Sequence, residues 1–209
     1  MANGAQLIVN LHMEISLSIS EFLPGWSFEG DIKIDAGNAI LIHGPNGVGK
    51  SSLLQYFKLN HKSLFTHRVL RFVDQPRLNP LNDISLNDVI SQLSSRRDPT
   101  QKLFQEFYPI VEDYASKPLK DLSGGQNQMC KILIGIFLGG DIYFFDEPSQ
   151  SLDDTNIKNF SCCLEGLKGA NKACVIIEHQ SGLIKSLCQK SYGMQREGSI
   201  IKIKESHGD

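Results

Sequence analysis

Residues 44–52 read GPNGVGKSS and fit the pattern GxxxxGK[ST] through Gly44, Gly49, Lys50 and Ser51. Glycines allow backbone turns that other residues avoid, so successive N–H groups can converge on one anion. A helix starting at the lysine adds its unpaired amides and the positive end of its dipole. Lys50 would reach the β- and γ-phosphates of a nucleotide, and the Ser51 hydroxyl would ligate Mg²⁺. Pro45, Asn46, Gly47, Val48 and Ser52 complete the candidate loop. Roughly one chain in a hundred of this length meets the pattern by accident. The flanks argue against accident here, because the apolar run Ala39-Ile40-Leu41-Ile42 precedes the loop and SSLLQYF after it reads as helix.

Two further apolar runs end in polar groups. Ile142-Tyr143-Phe144-Phe145 leads into Asp146-Glu147, and Ala173-Cys174-Val175-Ile176-Ile177 leads into Glu178-His179. Ligands of a parallel α/β sheet sit beyond the carboxyl ends of its strands. Asp146 would there hold Mg²⁺, as the second acidic element of a phosphate-loop enzyme does. Glu147 would orient or deprotonate an attacking water, a role worth about 10²–10⁴ in rate. His179 would hydrogen-bond the γ-phosphate or that water. The run over residues 69–73 delivers Gln75, whose neutral amide could touch Mg²⁺ or the water. Taken alone, Gln75 is a turn residue and the acidic pair an ordinary strand end. The other histidines, His12, His43, His61, His67 and His207, have no such neighbours.

These groups need a frame. Residues 7–19, LIVNLHMEISLSI, have apolar residues two apart, as a half-buried strand does, and residues 31–34 resume the alternation after a turn at Leu23-Pro24-Gly25-Trp26. Continuous apolar runs then replace alternation, as expected of strands covered on both faces. Residues 86–114 are helical in pattern, and residues 129–138 form a strongly apolar helix stopped by Gly139-Gly140. Helical stretches are expected between and after the last two apolar runs, with alternation again over residues 199–204. The order implies an α/β fold with an inserted helical lobe.

Composition removes several classes. Of 209 residues, 41% are hydrophobic and 21% charged, and 21 basic against 23 acidic residues leave a formal charge of −2. Bulk attraction to nucleic acid is therefore not expected. No apolar stretch reaches the ~18 residues of a membrane span, and the amino terminus lacks a secretory pattern. The five cysteines, an odd number without a CxxC pair, suit reduced structural thiols in a cytosolic protein.

Leu122-Ser123-Gly124-Gly125-Gln126 lies between the phosphate loop and the Asp146-Glu147 strand. This LSGGQ sequence resembles the signature of the ATP-binding-cassette (ABC) ATPases, and the resemblance runs over roughly residues 6–204. It implies a P-loop NTPase of ABC type: a RecA-like core with an N-terminal antiparallel β subdomain (residues 1–78 and 141–209) and a helical signature subdomain (residues 79–140). Residues 44–52 then match the Walker A loop, Gln75 the Q-loop, residues 144–147 Walker B, residues 150–153 with Asp153 the D-loop, and His179 the switch histidine. The resemblance also implies a head-to-tail dimer. Each of two ATP molecules is held between Walker A of one subunit and the signature of the other. Phe22 and Trp26 are candidates for stacking on adenine. Some positions depart from the family. Gln75 follows Lys50 by only 25 positions, Gln150 stands where serine is common, and Met129 stands where arginine is common, with Lys131 a partial substitute.

A cassette of this size resembles the peripheral subunits that power separate membrane permeases, at the cytoplasmic face. Its loop is somewhat similar to the small ATPases of the haem-exporter type. YASKPLKD before the signature lacks the glutamate–glycine motif of many exporters. A coupling helix of the permease would dock near Gln75 and the helical lobe, where Phe104, Phe107 and Tyr108 either line the groove or belong to the core. Both half-sites are present, so a homodimer is favoured and no direct nucleic-acid partner is expected. The alternative is an ABC-type ATPase acting on nucleic acid or ribosomes, for which only sparse basic runs (Lys62, Arg68, Arg71; Arg96, Arg97) speak. A nucleotide-dependent interaction module with little hydrolysis is a third reading, against which Glu147 and His179 stand.

Overall fold

The runs marked as doubly covered form the middle of one sheet. A computed structural model of the chain describes residues 12–16, 19–23, 26–65, 68–73, 83–93, 100–179 and 182–206. The strands are β1 (His12–Ser16), β2 (Ile19–Leu23), β3 (Trp26–Glu29), β4 (Asp31–Asp35), β5 (Ala39–His43), β6 (Leu70–Val73), β7 (Ile142–Asp146), β8 (Ala173–Glu178), β9 (Lys190–Glu197) and β10 (Ile200–Glu205). The helices are α1 (Lys50–Leu64), α2 (Leu86–Leu93), α3 (Thr100–Phe107), α4 (Gly124–Phe137), α5 (Asp154–Gly169) and α6 (Gly182–Lys185).

Eight strands lie in the order β2-β3-β10-β9-β5-β8-β7-β6, and β1 and β4 form a separate antiparallel pair. Strands β9, β5, β8, β7 and β6 are parallel neighbours, and β10 runs antiparallel to β9. The β2–β3 pair is antiparallel, and β3 runs parallel beside β10. Strands β2 and β3 thus join the sheet through β10. The helix expected after β8 is the short α6, and residues 190–197 beyond it form β9, a strand the sequence pattern did not mark. Tyr192 and Met194 alternate into the core, and the register against β10 pairs Ile203 with Met194. Gly193 and the short polar tail of this strand hid that two-residue period.

Side chains alternate between two cores. Ile142 and Phe144 of β7 face α1 with Leu53, Leu54 and Phe57, while Tyr143 and Phe145 join the core that contains α4 and α5. This two-sided covering makes β5, β7 and β8 read as unbroken apolar runs. Phe144 stacks on Phe72 at 4.8 Å and lies 5.3 Å from Phe57, ring centre to ring centre. In the helical region, Phe104 and Phe107 are buried. A Cβ on Gly166 would meet Leu103 and Phe107 at 2.7 Å, which places α3 hard against α5. Cys130, Cys163 and Cys174 are buried, free thiols, and burial pushes the first two up to about 12.

Candidate functional site

The phosphate loop links the end of β5 to α1. Gly49 sits at φ +111°, a conformation side chains rarely adopt, and α1 begins at the next residue. A Cβ on Gly44 would lie 2.8 Å from the carbonyl oxygen of Met194, so that glycine lets the loop pass close to β9. Val48 is buried and anchors the loop, while Pro45, Asn46, Gly47 and Ser51 are exposed. Lys50 is 6% exposed, and its ammonium donates to the carbonyls of Gly44 at 2.9 Å and Pro45 at 3.3 Å. The same nitrogen lies 4.0 Å from Glu147 Oε1. One buried cation therefore stands between the loop and the acidic strand end.

The neighbouring strands bring their last residues to that edge. His43 of β5 is opposite Glu178 of β8, and Asp146 of β7 is opposite Ile177. Gly44 and His179 thus leave adjacent strands at one level, and Glu147 follows on the third. Glu147 has φ +47° and ψ +50°, and its N–H donates to Ile177 O at 2.8 Å. Such left-handed backbone persists only where surrounding contacts enforce it. Asp146, Glu147 and His179 are partly exposed. Glu178, which sequence reasoning passed over in favour of His179, is buried and accepts a hydrogen bond from Ser149 N at 2.9 Å. Burial pushes its carboxyl up from the ordinary range, and the charge of Glu147 adds to this; bonds from Ser149 act in the opposite sense. Its polar character at the end of an apolar run was the available signal.

The signature opens α4 with a reciprocal cap. Ser123 Oγ accepts from Gln126 N at 3.3 Å, and Ser123 N donates to Gln126 Oε1 at 3.1 Å. This capping box starts the helix five residues before the apolar stretch the periodicity marks. Ser123 and Gly124 are exposed, and Leu122 is half-buried. A Cβ on Gly125 would lie 3.0 Å from Ser151 O and 3.1 Å from Asn156 Nδ2, so the signature rests on the segment after Glu147. Asp153 caps α5 by accepting from Asn156 N at 2.8 Å. Lys131 is buried within α4. Gln75 lies outside the described residues, and so does the side chain of Phe22. Trp26 is half-buried, with the Arg196 guanidinium 3.8 Å above its ring centre. A base stacking there would use the other face or displace Arg196.

With this geometry in hand, comparison with known proteins gives the class. The ABC transporter family model matches residues 29–150, more than half of the chain, and the chain belongs to that family. It is a nucleotide-binding domain of the ABC ATPase class. The glutamine transport ATP-binding protein GlnQ of Bacillus subtilis is 23% identical over 208 residues, covering 82% of this chain and 81% of that protein. Elongation factor 3 of Candida glabrata is 25% identical over 183 residues, covering 85% of this chain; the chain spans 17% of that relative's length. Among solved structures, MJ1267, an ATP-binding cassette of an ABC transporter in its ADP conformation, superposes with a TM-score of 0.68 at 18% identity, covering 95% of this chain and 92% of that one. The archaeal ribosome recycling factor aABCE1 gives 0.72 at 19% identity, covering 97% and 41%. These two likenesses show the fold. Among the described residues, no helix is long and apolar enough to cross a membrane.

Proposed function

We propose that this chain binds ATP with Mg²⁺, hydrolyses it, and closes head to tail on a second copy of itself to drive a separate membrane permease from the cytoplasmic face. The observation that carries the reading is Lys50, held 2.9 Å from the Gly44 carbonyl and 4.0 Å from Glu147. Phosphates entering the loop would draw this ammonium from neutral carbonyls to anionic oxygens, where donor and acceptor are both charged. The amides of residues 45–51 would hold the same phosphates. Glu147 would take a proton from the attacking water, and His179 would hold that water or the γ-phosphate. Ser51, Asp146 and Gln75 offer hard oxygen donors, which suit Mg²⁺. When bound, the ion would neutralise phosphate charge. The start of α4, with Ser123 and Gly124 exposed, would meet the γ-phosphate held by the other subunit, making ATP the bridge of the dimer.

Transport is favoured over a ribosomal role by the helical region. A cleft of about 490 Å³ is lined by Asn87, Ile90, Ser91, Phe104, Gln105 and Tyr108. Among the described residues its lining is apolar or uncharged, which suits a short amphipathic permease helix better than nucleic acid. Phe104 and Tyr108 contribute to it, whereas Phe107 is core. The name of GlnQ agrees with transport, and that of elongation factor 3 supports the alternative. The test uses Glu147→Gln protein. Light scattering should show a dimer with ATP and Mg²⁺ and a monomer without. The ATP-arrested protein should then retain a polytopic membrane protein from detergent-solubilised cells of the source. Retention of ribosomal proteins alone would reject the transport role.

A further inference from the structure

Strand β8 ends at Glu178 with His179 directly after it, and only the histidine has a part in the chemistry above. Glu178 is 4% exposed in a strand whose six residues are all buried. A carboxylate there costs more than an apolar residue of similar size unless hydrogen bonds offset its burial. It accepts from Ser149 N at 2.9 Å, and the Ser149 hydroxyl and the His179 N–H also bond to it. Ser149 lies in the turn Pro148–Ser151, directly after Glu147. That turn is closed by Gln150 N donating to Glu147 O at 3.2 Å and Leu152 N to Ser149 O at 3.2 Å. Its far end, Ser151 O, would sit 3.0 Å from a Cβ on Gly125, which places it against the first turn of α4. One buried carboxylate therefore ties the strand end that carries His179 to the segment that carries Glu147 and backs the signature.

We infer that Glu178 is a positioning residue, whose carboxylate fixes the turn after Glu147 and, through Ser151, the seating of the signature helix. It holds Ser149, two residues after the left-handed Glu147, in the turn that backs the signature, so the base and the trans phosphate contact are set together. The inference deepens the hydrolysis reading and rests on it for its kinetic consequence.

Two substitutions of similar volume separate positioning from packing. Glu178→Gln keeps an oxygen acceptor for Ser149 N; Glu178→Leu keeps the bulk and removes the acceptor. Amide exchange over residues 148–152 of the nucleotide-free protein, followed by mass spectrometry, should be about tenfold faster in the Leu variant and near wild type in the Gln variant, the factor expected for one lost hydrogen bond. In steady-state ATP hydrolysis, the Leu variant should lose about tenfold in kcat with KM nearly unchanged, and the Gln variant should recover it. Equal exchange in the two variants overturns the tie. A Leu variant that hydrolyses ATP like wild type overturns the kinetic role. Wild-type protein without hydrolysis would instead reject the proposed function, with exchange still deciding the tie. Glu178→Met replaces the Leu variant should that one fail to fold.

Discussion

Gly49 closes the phosphate loop at φ +111°, and a Cβ added there would lie 2.5 Å from Ile201 Cδ1 of β10. Gly49→Ala therefore meets two separate costs. The backbone conformation costs an alanine about 1–3 kcal/mol, and overpacking against Ile201, which is 1% exposed, costs about 1–3 kcal/mol more. The two can be separated because the atom in the way is a terminal methyl. Ile201→Val removes Cδ1 at a cost of about 0.5–1.5 kcal/mol. The double variant should then be about 1–2 kcal/mol more stable than the sum of the single effects. Urea unfolding of the four nucleotide-free proteins measures this, and each kcal/mol should appear as about 2–4 °C in Tm for a chain of this size. ATP affinity should behave differently. Ile201→Val relieves the overlap and leaves the backbone strain, so the loop amides stay misdirected and binding stays weak in the double variant. Strict additivity would refute Ile201 as the contact, and a Gly49→Ala protein as stable as wild type would refute both costs.

Glu147→Gln should lower kcat by about 10²–10⁴ while leaving ATP binding intact, measured by phosphate release beside equilibrium binding; turnover at the wild-type rate would remove the base assignment. Ser123→Ala deletes the cap on α4 and should cost about 1 kcal/mol in thermal unfolding. It should also weaken ATP-driven dimerisation without changing ATP affinity of the monomer. Glu178 has a folded pKa raised above its unfolded value, so its protonated form favours the native state. Its contribution is present below the unfolded pKa and is lost as pH rises through the folded pKa. Glu178→Gln should accordingly gain in stability over wild type as pH rises through that window and keep the gain at neutral pH; parallel stability curves would refute this.

The strands at the centre of the site were legible because they are covered twice. Leu41 and Ile176 belong to one core and Ile42 and Ile177 to the other, so no polar residue interrupts the run until the ligand edge. The chemistry then stands where apolar character stops, at Gly44, Asp146 and His179. Strand β9 was not legible, because its second half is exposed and Gly193 breaks the alternation. The start of α4 was under-read for another reason. Gly124 and Gly125 have low helix propensity, and the reciprocal Ser123–Gln126 cap offsets it. Asp153 carries a use the motif alone did not reveal, since its carboxylate starts α5.

Lys50 and Glu178 place opposite charges in buried surroundings at one sheet edge, and each is satisfied by backbone. The lysine takes carbonyls of its own loop, and the glutamate takes an amide of the turn after Glu147. Had the two paired with each other, nucleotide would have to break a buried ion pair, which costs several kcal/mol. Bonded to neutral dipoles, Lys50 can turn to a phosphate at the loss of two hydrogen bonds, each worth about 1.5–3 kcal/mol because the donor is charged, and leaves no opposite charge unpaired behind it. The loop also keeps its curvature before ligand arrives, because the lysine bridges its first two carbonyls. Glu178 does not move in this exchange. Its donor is Ser149 N in the turn after Glu147, so the turn that backs Gly125 keeps an anchor separate from the bonds of the loop. Capture of nucleotide and seating of the signature thus draw on separate hydrogen bonds, and Glu147, between them, is the residue both must leave in place.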